Sequence, residues 1–137
     1  MKFFCLEDFK VEFEKLISKK AYSTLEPDLI NYFLGKSAQE LCSGTRLNNS
    51  DITPYVKKRL KGSGGYRFYF LLILKNESLY FMFVHPKTGP MGANNITDES
   101  KTYLYKKILG CIKTNDLYKI ENLNKKIIFR KVKKVKS

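Results

Sequence analysis

An α+β fold is predicted for this chain: helices packed on a small antiparallel sheet of about four to five strands, in the order β-α-α-β-β-β-α-β. Three observations point there. Residues 68–74 are seven apolar or aromatic residues in succession and 79–84 are six more, two runs that read as an antiparallel hairpin. Apolar residues recur at helical spacing in three other stretches. The 137 residues, 43% of them hydrophobic and 14% aromatic, suffice for one globular domain with a real core and not for two.

Taken in order, Lys2-Phe3-Phe4-Cys5-Leu6 is a short apolar run that reads as a first strand. From Asp8 the period changes, and Phe9, Phe13, Leu16 and Ile17 fall on one side of a helix with Lys10, Glu12, Glu14 and Lys15 on the other. Ser23-Thr24-Leu25-Glu26 has capping-box spacing and Pro27 suits a first turn. The second helix predicted from there carries Leu29, Ile30, Phe33, Leu34, Ala38, Leu41 and Cys42 and stops at Ser43-Gly44.

Strands follow. Residues 55–60 lead into a glycine turn, and 68–74 are too continuously apolar for a sheet with one wet face, so they read as the buried central strand. Lys75-Asn76-Glu77-Ser78 connects them tightly to 79–84. The chain then breaks into a loop of prolines and glycines, His85-Pro86-Lys87-Thr88-Gly89-Pro90-Met91-Gly92. Thr97-Asp98-Glu99 caps a third helix carrying Tyr103, Leu104, Ile108, Cys111 and Ile112, and residues 125–133 alternate in part as a half-exposed strand would. The lysines at 131, 133, 134 and 136 read either as a solvated, RNA-attracting tail with no base specificity or as a frayed terminus, from about residue 131.

Composition narrows the function. No run approaches the ~18 apolar residues of a membrane span, and the N-terminus lacks the pattern of a secretory signal, so a cytosolic protein is expected. Cys5, Cys42 and Cys111 are odd in number and show no metal-ligand spacing, as buried thiols would. The net charge of +13 is unevenly spread: residues 1–53 hold seven Lys/Arg against eight Asp/Glu, and residues 54–137 hold nineteen against five. Such a field raises the local concentration of nucleic acid, whereas a lysine-rich surface with no partner would carry the same count.

The cations peak in Lys57-Lys58-Arg59-Leu60-Lys61-Gly62-Ser63-Gly64-Gly65-Tyr66-Arg67. Side-chain cations and the backbone N–H groups of a glycine turn can point at one phosphate there, so Lys58, Arg59, Lys61, Gly64 and Gly65 are candidate RNA contacts. Tyr66 stands as either a base-stacking ring or core packing. Under strand alternation Arg59 shares the face of Lys57, and Lys58 points oppositely.

Metal-free RNA cleavage needs a proton acceptor for the 2′-hydroxyl, cations for the phosphate and a donor for the leaving 5′-oxygen. Arg67 and Lys57 are the candidates for phosphate stabilisation. His85, the only histidine, has a reference pKa of ~6.5 that suits proton transfer, and a structural role for it stands beside that one. Lys87 and Arg67 lie at the same end of the hairpin as His85, and a lysine of lowered pKa is the alternative base.

This order of features resembles the RelE/HigB-like toxins of bacterial toxin–antitoxin pairs. The likeness rests on Lys57-Lys58-Arg59, Ser63-Gly64-Gly65-Tyr66-Arg67, the hairpin 68–84, Lys87 and Asn95-Ile96-Thr97-Asp98, and covers about residues 54–113. It implies a metal-independent endoribonuclease (an mRNA interferase) that cleaves messenger RNA, often at the ribosome, and is neutralised by a cognate antitoxin protein. It implies no metal and no small-molecule cofactor. The loop after Lys87 departs from that pattern, being longer and uncharged through Asn95. A non-catalytic RNA- or DNA-binding module on the same scaffold, and a basic face for an acidic protein partner, are the alternatives.

Overall fold

Runs that are apolar at every position need cover on both faces, and the fold supplies it. The computed structural model describes residues 1–60, 65–89, 92 and 96–134. Its elements are β1 (Lys2–Cys5), α1 (Glu7–Ile17), α2 (Leu25–Tyr32), β2 (Thr45–Arg46), β3 (Tyr55–Leu60), β4 (Tyr66–Ile73), β5 (Ser78–Pro86), α3 (Asp98–Thr114), β6 (Tyr118–Leu123) and β7 (Lys126–Lys131). Short 3₁₀ turns lie at Lys20–Tyr22, Glu40–Cys42 and Leu74–Asn76.

All the strands join one sheet in the order β2-β3-β4-β5-β1-β6-β7. Phe68, Phe70, Leu72, Phe81 and Val84 face α1 and α2, where they meet Phe9, Phe13, Leu16, Leu25, Leu29 and Phe33. Tyr69, Leu71, Tyr80 and Met82 face the other way, onto Leu104 and Ile108 of α3. Pairing between β4 and β5 slips by one residue after Tyr69, so that Tyr69 opposes Phe83 and Phe70 opposes Phe81. Met82 is the extra residue of this bulge, which turns Met82 and Phe83 toward the same side.

The expected antiparallel sheet of four to five strands is therefore corrected to a mixed sheet of seven with helices on both faces. Its one parallel pair is β1 against β5, in the register Phe3 to Leu79 and Cys5 to Phe81. The cause lies in β1 itself: Phe3 packs with the α1 core and Phe4 stacks on Tyr80 on the opposite side, so this strand is interior and needs a neighbour on each edge. β6 takes the second edge, and β7 returns antiparallel to it. Asn124 and Lys125 turn that hairpin with φ of 52° and 65°, the backbone of a two-residue turn whose twist matches the strands.

Two helix expectations change as well. α2 ends at Tyr32 rather than near Cys42, because Gly35 adopts a φ of 109° that an ongoing helix does not allow; Ala38 and Leu41 remain buried beyond the break. The residues with capping-box spacing do not cap it. Thr24 Oγ1 lies 2.7 Å from the Tyr66 hydroxyl, and the Glu26 carboxylate accepts from the Ile127 backbone N–H at 2.9 Å, so tertiary contacts have claimed both side chains. At α3 the Thr97 hydroxyl does accept from the Ser100 N–H, at 3.1 Å. Tyr103, expected to pack, is 53% exposed and accepts a hydrogen bond from Lys107 instead.

The tail is also more ordered than a solvated run. Lys131 belongs to β7 and donates to Asp116 at 2.6 Å, Lys134 lies 3.4 Å from the same carboxylate, and the Val132 N–H bonds the Leu117 carbonyl. Lys136 lies outside the described residues. The three cysteines are free, with Cys5 buried and the other two half-buried. Among the described residues no helix is long and apolar enough to cross a membrane.

Candidate nucleic-acid interface

At the end of the sheet away from the 74–77 turn, the register sets Arg59 opposite Arg67 and Arg67 opposite His85. Residues directly opposite in a ladder point to the same face, so two guanidiniums and the imidazole form one row across β3, β4 and β5. Lys57 begins the next row on that face, opposite Tyr69, which itself opposes Phe83. Two residues of extended chain separate the rows by about 7 Å. Arg59 is exposed and Lys57 and Arg67 are half-buried.

His85 sits beneath this surface, 5% exposed. Its Nδ1 is 3.1 Å from the Pro86 carbonyl, which can only accept, so the ring proton is on Nδ1. The Nε2 lone pair then accepts from the Tyr69 hydroxyl, 3.1 Å away. The Tyr69 hydroxyl also takes a backbone hydrogen bond from Ile96. Burial above all, aided by the charges of Arg67 and Lys57 and opposed by the Pro86 bond, holds the His85 pKa below its usual value.

That displacement has a measurable sign. The unfolded chain binds a proton at His85 near pH ~6.5 and the folded chain only at lower pH, so below ~6.5 the unfolded state holds more protons and stability falls. Melting temperatures between pH 5 and 7.5 are expected to drop more steeply on acidification for the wild type than for His85→Gln. Coincident profiles would contradict a buried neutral imidazole.

Lys57 is the second perturbed group. Partial burial first, then the charges of Lys101 and Arg67, push its ammonium below the ordinary lysine pKa. Lys101 comes from the first turns of α3, whose Thr97 cap fixes where the helix starts over this face. It makes a long ion pair, 3.6 Å, with the solvent-exposed Asp98.

The remaining candidates divide. The Lys87 N–H donates to the Gly65 carbonyl at 3.1 Å, carrying the β4–β5 pairing one step further, and its half-buried side chain follows His85 by two residues. Gly65 holds a φ of 68°, which turns the chain into β4. Tyr66 is 1% exposed, packs edge-on to Tyr22 and is bonded to Thr24, which removes its ring as a stacking platform. Lys58 points to the α2 side, with its ammonium 3.4 Å from Ser43 Oγ and 5.4 Å from the Tyr32 ring centre. Lys61 and Gly64 lie outside the described residues, as does Asn95.

Tyr69 and Lys101 were not among the sequence candidates. Tyr69 had a signal, since it lies two residues from Arg67 and so shares its face. Lys101 had none, because only the docking of α3 brings it to Lys57. Among the described residues no three His, Cys, Asp or Glu side chains gather as metal ligands would. No protein-family model matches the chain, and a search of curated proteins finds no match.

Proposed function

We propose that the face of Lys57, Arg59, Arg67 and Lys87 binds RNA and cleaves it without a metal, as a toxin-like endoribonuclease of the RelE/HigB kind acting on messenger RNA in the cytosol. The observation that supports this best is the ladder row Arg59–Arg67–His85 with Lys57 on the same face. Guanidiniums fixed on paired strands are preorganised for phosphate oxygens, which matters because such sites act through charges already in place.

Lys57, rather than His85, is the proton acceptor in this proposal. Its lowered pKa raises the neutral fraction, and a neutral amine can take the 2′-hydroxyl proton. The 2′-oxygen then bonds phosphorus, the bond from phosphorus to the 5′-oxygen breaks, and that oxygen takes a proton from Lys87. Arg59 and Arg67 hold the phosphate oxygens as charge builds. His85 and Tyr69 are positioning residues that support Arg67 from below. A ribosome would complete the site, and a cognate antitoxin with an acidic segment would cover it.

The fully bonded state of His85 favours a second proposal, an RNA-binding module that does not cut. The two separate when labelled RNA is incubated with the full chain in a metal chelator, with and without translating ribosomes. Fragments ending in cyclic phosphate with 5′-hydroxyl partners are expected. Intact RNA in both settings, with salt-sensitive binding retained, would overturn cleavage and leave the binding module.

A further inference from the structure

Two residues before Lys57, and on the same face of β3, stands Tyr55. Beside it a cavity of about 390 Å³ opens between the first turns of α3 and the chain that follows β2. Leu47, Asn48 and Tyr55 line one side, and Lys101 and Tyr105 line the other. That volume lies within the ordinary range of small-ligand sites.

The walls are held in place by bonds of their own. The Tyr105 ring stacks on Tyr55, with 5.4 Å between centres and 11° between planes, and the Tyr55 hydroxyl donates to the Lys101 carbonyl at 3.1 Å. Asn48 Nδ2 donates to the Thr53 carbonyl and its Oδ1 accepts from the Tyr55 N–H, both at 2.9 Å. Tyr55 is buried and Tyr105 half-buried, so Tyr105 carries the part of this aromatic wall that a ligand can reach. A site shaped before binding has less ordering to do when the ligand arrives.

The charges say what enters. Lys101 belongs to two places, since it lines the cavity and its charge reaches Lys57. The solvent-exposed Asp98 also borders the cavity, 3.6 Å from Lys101, so one cation and one anion offset each other and the space suits a neutral occupant. Just outside it the face is cationic. Arg59, Lys57 and Tyr55 follow one another along this side of β3, as phosphate, ribose and base follow one another within a nucleotide.

We propose that the cavity receives the base of the nucleotide whose 2′-hydroxyl meets Lys57, with Tyr105 as the stacking ring. The inference rests on the phosphate face proposed above and narrows its substrate to an unpaired strand, because a base inside a duplex has no free face to offer. Stacking of this kind accepts every base, since each has a π-face.

Fluorescence anisotropy at one salt concentration, with the full chain and end-labelled RNA, tests it. A uridine heptamer is compared with an abasic heptamer of the same backbone. One base stacked on an aromatic ring is expected to make the uridine heptamer bind at least about fivefold tighter. That ratio is expected to persist in Tyr105→Phe and to fall to within about twofold in Tyr105→Leu. Equal affinities in the wild type, or a ratio kept in Tyr105→Leu, would overturn the base subsite.

Arg67→Ala separates this failure from failure of the phosphate face. Where it weakens both heptamers alike, the phosphate face stands whatever becomes of the cavity. Binding of neither heptamer to the wild type would overturn the face and the subsite together. Should Tyr105→Leu fail to fold, proton NMR of the wild type decides: the Tyr105 ring signals, identified by their loss in Tyr105→Phe, are expected to move with the uridine heptamer and stay with the abasic one. Signals that respond equally to both would overturn the subsite.

Discussion

Arg67→Ala is expected to lower RNA cleavage by about 10²- to 10³-fold, the usual loss when one preorganised group at a developing negative charge is removed. Arg67 is the middle member of its row, opposite Arg59 on one side and His85 on the other. It also acts at a second point. Its charge helps to hold the Lys57 pKa down, so removing it returns Lys57 toward the protonated form that cannot accept a proton. Arg67→Lys keeps the charge and loses the fork, and should fall between the two. Cleavage rates with matched circular dichroism spectra provide the check, and growth arrest on expression should disappear with the rate. An Arg67→Ala protein that cuts as fast as the wild type would contradict the proposed role.

Phe81→Ala is expected to carry the largest cost in stability, about 3–5 kcal/mol, which is typical of emptying a buried aromatic site. Phe81 is fully buried on β5, and its ring centre lies 4.8 Å from that of Phe9, 4.9 Å from Phe33 and 5.9 Å from Phe68. It thus ties α1, the end of α2 and two strands together, and these neighbours cannot all move inward at once. Urea titration reads the loss as a lower midpoint at similar slope. A change below about 1 kcal/mol would mean that the α1-side core can close around the space.

The hairpin of β4 and β5 was legible because an unbroken apolar run has few places to go, and the opposed faces of Lys58 and Arg59 followed from strand alternation alone. Pairing partners were not legible. Nothing local in Lys2-Phe3-Phe4-Cys5 says that it lies parallel to residues 78–81, since that neighbour is set by how α1 and α2 pack. β6 had a weak signal in the alternation of Tyr118, Ile120 and their charged neighbours, but its turn is Asn124-Lys125 rather than the Asn-Gly that announces such hairpins. The break after α2 rested on Gly35, which the helical spacing of Ala38 and Leu41 concealed.

The site was legible in its cations and not in its chemistry. The tally of charges pointed to residues 57–67, whereas the state of His85 depended on its burial and its bond to Tyr69. The weight shifted to Lys57 because the fold partly buries it and brings Lys101, from a helix more than forty residues away, beside it.

The most direct test of the central claim is the salt dependence of RNA affinity for the wild type, Arg59→Ala and Arg67→Ala. Each phosphate contact to a single strand contributes about 0.7 to the slope of log K against log salt. The phosphate-binding face proposed for these strands predicts that each substitution weakens binding and flattens the slope by about that amount. Slopes unchanged from the wild type would place the RNA, if it binds, on another part of the molecule.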